Sequence, residues 1–355
     1  MYNILSATKA RSSIFLAMST LLLCTSANAA PKVVASIAPI HSLVSMVMGD
    51  VAEPELLLNA NVSPHDFSLK PSDARAIQNA DVVFWVGPAL EAFLAKPLEA
   101  LDSKDTNVAL IDAKGLTLLD FRDGEKIAAA GAHKDGHEHE DDDKHEGEHD
   151  AKHEHDDDDK EKHEDKHEEA HGHEGHSHHG HTHVGDHDPH IWLDPHNAAV
   201  MLEAIAMHLE GIDPENAETY RNNAQNALIE IQSLETKISA ELSNVGKKSF
   251  VAFHDGTQYF EARFGLNAKG LLLDNPEVSA SAARMKSLRE VLQTEDVACI
   301  FSETQFNSDV TATLTEGLNV KVEVLDPLGA GIETGAGLYG ELLTKLTGSF
   351  QRCLS

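Results

Sequence analysis

Asp81-Val82-Val83-Phe84-Trp85 carries one charge, at its first residue, and is apolar thereafter. A short run with no polar alternation suits a strand covered on both faces, as in a parallel sheet flanked by helices. Elements of both kinds lie on either side. Upstream, Lys32 to Ile37 reads as a strand, Ser42 to Met48 as a helix face, and Pro54 to Leu58 as a second strand. Ser72 to Asn79 follows as a helix with Ser72 or Asp73 as its cap. Downstream, Leu90 to Leu101 reads as a helix and Val108 to Ile111 as a short strand. This βαβαβαβ order predicts a wound, parallel α/β sheet.

A second alternation begins further along. Asn197 to Leu209 reads as a helix, and Asp213-Pro214 as a helix start, with Asp as cap and Pro in the first turn. Ala217, Tyr220, Ala224, Ala227, Ile231, Leu234, Ile238 and Leu242 then recur at steps of three and four, which predicts a helix of about 30 residues and 45 Å. Phe250 to Phe253, Ala268 to Leu273, Val297 to Phe301 and Val320 to Leu325 are expected strands. Gly256 to Phe264, Ser279 to Gln293, Ser308 to Gly317 and Leu338 to Leu346 are expected helices. The expected architecture is therefore two wound α/β lobes, residues 30–198 and 247–355, joined by linking helices over 199–246, with a rigid long helix as spine. Open α/β sheets bind ligands at the carboxyl ends of their strands, so a site is expected in the cleft between the lobes.

Between the lobes' first sheet and the linking helices the composition changes abruptly. Seventeen of the 23 histidines lie between His133 and His187, among 21 acidic residues and six lysines. That stretch carries about half of the formal charge of -31. It cannot bury a core and is expected to be a disordered loop over 133–187. Its densest part holds His171, His173, His176, His178, His179, His181 and His183. Imidazole suits zinc, copper and nickel, so these read as secondary, weaker metal sites. So acidic a chain repels nucleic acid.

The first 29 residues read as a secretory leader. Lys9 and Arg11 precede an apolar run, Ile14 to Leu23, too short to span a bilayer, and Ala27-Asn28-Ala29 supplies an A-x-A cleavage signal. The mature chain is then expected to start at Ala30, in the periplasm. Cys24 leaves with the leader, so Cys299 and Cys353 remain. An even pair in an exported protein is expected to be oxidised, and a thiolate metal site is the alternative.

Four residues stand just past predicted strands or at loop ends: His65 in Ser63-Pro64-His65-Asp66, His190 in Asp188-Pro189-His190-Ile191, His254 in Phe253-His254-Asp255, and Asp326 in Asp326-Pro327-Leu328-Gly329. Three imidazoles and a carboxylate suit a four-coordinate zinc ion. Glu303, after the strand ending at Phe301, is the expected acid behind a ligand.

These segments, in this order, together with Lys70-Pro71-Ser72-Asp73, His190-Ile191-Trp192-Leu193-Asp194-Pro195 and Phe264-Gly265-Leu266, resemble the metal-binding solute proteins of ABC importers. Among these they are most similar to the periplasmic zinc-binding components of high-affinity zinc-uptake transporters. The resemblance covers nearly the whole mature chain. It implies two α/β lobes bridged by a long helix with little hinge motion. It also implies His65, His190 and His254 as ligands, with delivery of zinc to a membrane permease powered by a separate ATPase. A monomer is expected. Asp326 matches the aspartate that closes the site in manganese-binding relatives, and water or a neighbouring acid replaces it in many zinc-binding ones. Some members carry an acid where this chain has Pro64. A glutamate stands at the position of His254 in manganese-type members, so the third imidazole here favours zinc. Cys299 and Cys353 match the disulfide of some zinc-type members.

Three rivals set the limits of this reading. The pattern H-E-x-x-H occurs three times, at His145 to His149, His163 to His167 and His167 to His171. On a helix it would make a zinc hydrolase, but a stretch so rich in His and Glu produces it by composition, and no nucleophile elbow, Walker motif or dinucleotide fingerprint accompanies it. A periplasmic metal buffer or metallochaperone would make the tract the functional part. A receptor for another divalent metal, such as manganese, is the third.

Overall fold

The computed structural model describes residues 29–101, 106–122, 187–245, 248–273, 276, 278–294 and 296–355. The leader, the H-E-x-x-H patterns and the loop histidines from His171 to His183 lie outside the described residues. Pro31–Ser355 forms one compact unit.

Two four-stranded parallel sheets carry the fold. The first contains β1 (Val33–Ala35), β2 (Glu55–Leu56), β3 (Val82–Trp85) and β4 (Asn107–Ala109), in the order β2-β1-β3-β4. The second contains β5 (Ser249–Ala252), β6 (Asn267–Leu271), β7 (Val297–Glu303) and β8 (Lys321–Leu325), in the order β6-β5-β7-β8. Both orders reverse at one place, between β1 and β3 and between β5 and β7, which is where such sheets open a crevice at their carboxyl ends.

The two-residue period of a strand explains the layers. Val33, Ala35, Val82 and Phe84 face one continuous core, while Val34, Val83 and Trp85 face a separate cluster with Ile77, Leu94 and Leu98. Those last three come from α2 (Pro71–Asn79) and α3 (Ala92–Glu99). The second sheet repeats the division. Phe250, Ala252, Cys299 and Phe301 face the shared core, and Val251 and Ile300 pack with Leu288, Val291 and Leu314. These belong to α7 (Ala282–Thr294) and α8 (Asp309–Thr315), and α6 (Gln258–Phe264) lies between β5 and β6.

The shared core is filled by α1 (Ala38–Met48), α4 (Pro195–Ile212), α5 (Ala217–Leu242) and α9 (Leu338–Leu354). The long helix α5 has 26 residues, about 39 Å at 1.5 Å per residue. It packs on α1, α4 and α9, so it touches elements of both halves. Its start differs from expectation. Pro214–Asn216 forms a 3-10 turn, and Asp213 accepts from Asn216 Nδ2 and Tyr220 Oη rather than capping the backbone. α2 begins one residue earlier than read, at Pro71, because Asp73 accepts from the Lys70 N–H at 2.9 Å. α9 runs eight residues beyond the expected Leu346, because Phe350, Cys353 and Leu354 continue its buried face. The Cys299–Cys353 disulfide staples α9 to β7, with Cα atoms 5.6 Å apart.

Candidate metal centre

The crevice of the second sheet holds a histidine–carboxylate pair. His254 follows β5 and Glu303 ends the neighbouring β7, and both are buried. His254 Nδ1 donates to Glu303 Oε1 at 2.6 Å. The crevice of the first sheet is plugged instead. Glu91, fully buried, accepts from Ser36 Oγ and from the backbone N–H groups of Val86 and Gly87. Burial pushes its pKa up to about 7.

The first half therefore contributes through loops. His65 lies beyond β2, its N–H donating to Ser63 Oγ. His190 precedes a 3-10 turn, Ile191–Leu193, and α4. Asp188 Oδ1 accepts from both the N–H and the Nδ1 of His190, at 2.9 and 2.7 Å. This segment is fastened to the second half at three points. Tyr259 Oη donates to Asp188 O, Trp192 Nε1 to Pro327 O, and Tyr339 Oη to Trp192 O.

His65, His190 and His254 converge. Among the described residues they form the cluster able to hold a metal, their ligand atoms all within 4.8 Å of one another. The His190 Nε2 atom lies 3.3 Å from His65 Nε2 and 3.4 Å from His254 Nε2. Nitrogens bound tetrahedrally to zinc at 2.0–2.1 Å stand about 3.3 Å apart. The carboxylates fix the tautomers. With Nδ1–H held by Asp188 and by Glu303, the Nε2 lone pairs of His190 and His254 face each other. A metal cation between them, or a proton on one of the two rings, relieves that repulsion.

The electrostatics fit the same picture. Burial, with the nearby charge of His254, lowers the His190 pKa to about 3, so that ring stays neutral. Burial opposes charging of His254 too, but Glu303, through its charge and hydrogen bond, outweighs it and raises the pKa. Burial raises Asp188 to about 7.

The remaining expected residues are placed as follows. Asp326 is not part of the histidine cluster. Its Oδ1 accepts from Gln305 Nε2 and from the N–H groups of Leu328 and Gly329, which shapes the turn after β8. Asp255, next to His254, is engaged by Arg122, whose guanidinium also donates to Glu261 at 2.6 Å. The sequence reading missed Asp188, Arg122 and Gln305. An Asp two residues before a ligand histidine, able to close a short turn onto it, was the available signal for Asp188.

Asp188 also forms the neck of the tract. Its N–H donates to Leu119 O at 2.8 Å, and Asp120 pairs with His187 in an antiparallel bridge, with the two side chains 3.0 Å apart. Asp120 and His187, on either side of the tract, are thus held together.

Residues 33–353 match the family model described as "ZnuA: Zinc-uptake complex component A periplasmic". This chain belongs to the ZnuA family. The ZnuA-type high-affinity zinc uptake system protein of Brucella suis is 44% identical over 323 residues, 91% of each chain. That of Paracoccus denitrificans is 36% identical over 325 residues, 91% of this chain and 92% of its own. The fold is similar to a crystal structure of ZnuA, with a TM-score of 0.66 at 20% identity, covering 92% of this chain and 100% of that one. The family consists of metal-uptake receptors, not enzymes, and zinc is its metal.

Proposed function

We propose that this protein captures zinc in the periplasm at His65, His190 and His254 and hands it to the membrane permease of an ABC importer, with ATP hydrolysed by a separate subunit. The convergence of three imidazoles, with His190 Nε2 at the edge length of a zinc tetrahedron from both His65 Nε2 and His254 Nε2, carries this reading. Two of the three rings have their outer nitrogen held by a buried carboxylate, which raises ligand basicity and fixes orientation before the ion arrives. Imidazole in all three positions suits zinc better than manganese, which prefers oxygen. No described helix is long and apolar enough to cross a membrane, and the leader over 1–29 would be removed on export. The chain acts as a monomer. His171, His173, His176, His178, His179, His181 and His183 form weaker, fast-exchanging sites that raise the local zinc concentration beside the cleft, as tethered sites do.

Calorimetric zinc titration of the mature protein, beside a version lacking the tract, tests this. One tight site should survive the deletion and vanish in His254→Ala. Loss of all tight binding on deletion would overturn the reading and make the tract the functional part.

A further inference from the structure

Among the described residues, two buried polar atoms without a hydrogen-bond partner belong to side chains lining the metal cleft, Glu303 Oε2 and Gln305 Oε1. The other oxygen of Glu303 is spent on His254. Gln305 is different. Its Nε2 donates to Ala60 O and to Asp326 Oδ1, both at 2.9 Å. Both partners are pure acceptors, so the amide cannot be turned over. Its carbonyl oxygen is thereby fixed as a buried acceptor without a partner, on a side chain that lines the cleft. Leaving such an atom unpaired costs free energy, and native structures keep few of them.

Gln305 also reaches across the cleft. Ala60 lies on the loop that brings in His65, and Asp326 follows β8 of the other sheet. Three imidazoles leave one corner of a zinc tetrahedron. A water on that corner is a strong hydrogen-bond donor, because the metal draws charge from its oxygen. We propose that Gln305 is a positioning residue for the cargo, its Oε1 accepting a hydrogen bond from a water molecule that completes the coordination of zinc. This rests on the zinc reading of the three histidines. A neutral amide and a water, in place of a fourth charged ligand, leave the ion held by neutral groups alone and ready for transfer.

The direct test is a crystal structure of the mature, full-length protein loaded with half an equivalent of zinc. A non-protein oxygen on the metal, about 2.5–3.0 Å from Gln305 Oε1, is expected. Asp326 or the Gln305 amide itself on the fourth corner would overturn the proposal and leave the receptor reading standing. Zinc elsewhere than on the three histidines would overturn both. In solution, half an equivalent of cobalt(II) reports the same water through the pH at which its visible spectrum changes. Gln305→Met removes the acceptor that favours water over hydroxide, so the change moves to lower pH. Gln305→Glu supplies a stronger, charged acceptor, so it moves to higher pH. A merely structural role would not shift the two variants in opposite directions, and an unmoved midpoint in both would sink the idea.

Discussion

Glu303→Gln keeps the shape of the side chain behind His254 and removes its charge. In the native protein the His254–Glu303 contact is 2.6 Å, with side chains only 5% and 1% exposed. Losing the partner of a ligating histidine lowers metal affinity by about 10- to 100-fold, or about 1.4–2.7 kcal/mol. That is the loss expected above the raised His254 value, where the ring is neutral in both proteins. At lower pH the gap should narrow. The charge and hydrogen bond of Glu303 raise the His254 pKa against burial, so native His254 must give up a proton before it can bind. The variant loses that upward push, and each unit by which its pKa falls returns up to tenfold in relative affinity once native His254 is protonated. The same shift has a stability counterpart. A raised pKa makes the ion pair stabilising in the metal-free protein below the ordinary value of 6.5, and that contribution fades as pH rises through the folded-state value. Competition with a fluorescent zinc chelator at pH 5, 6, 7 and 8 reads the affinities, and NMR titration reads the His254 pKa. A native-to-variant ratio that does not rise with pH across this range would refute the reasoning.

Three further outcomes are expected. Gly256→Ala would set a Cβ 2.5 Å from His254 Cε1 and 2.7 Å from its Nε2. The ring must move, and since such sites tolerate only about 0.5 Å, calorimetry should show zinc affinity reduced at least about tenfold with circular dichroism unchanged. Arg122→Ala leaves Asp255 and Glu261 buried without their counter-charge, a loss of about 3 kcal/mol visible as a lower urea midpoint. Removing the Cys299–Cys353 bridge, which spans 54 residues, should cost about 4 kcal/mol on the loop-closure relation, measured by urea unfolding with and without reductant.

The central strands were legible because they pack both faces: Val82 to Trp85 and Ser249 to Ala252 are buried at every residue, which suits a sandwiched parallel strand. Helix ends were less so. Asp213 carries the signature of a cap, but the nearby Tyr220 hydroxyl and Asn216 amide claim its carboxylate. Gly348 looks like a stop after Leu346, and Phe350 and Cys353 override it by burial. At the centre, the histidines announced themselves by standing at strand and loop ends. Their supports did not. Asp188 sits at the edge of an acidic tract, where its spacing two residues before His190 is easily lost among the other acids, and Gln305 is defined by two acceptors that are distant in sequence.

The paired neck, where Leu119 meets Asp188 and Asp120 meets His187, makes residues 123–186 a cassette. An insert there has only to return to where it began. Closing a segment twice as long costs about 0.6 kcal/mol more, little enough for lineages to expand, shorten or rewrite it while the cleft keeps its geometry. The same economy suits engineering. A folded domain whose termini lie close together could be spliced at the neck, two residues from His190, without stretching the pairing that holds it.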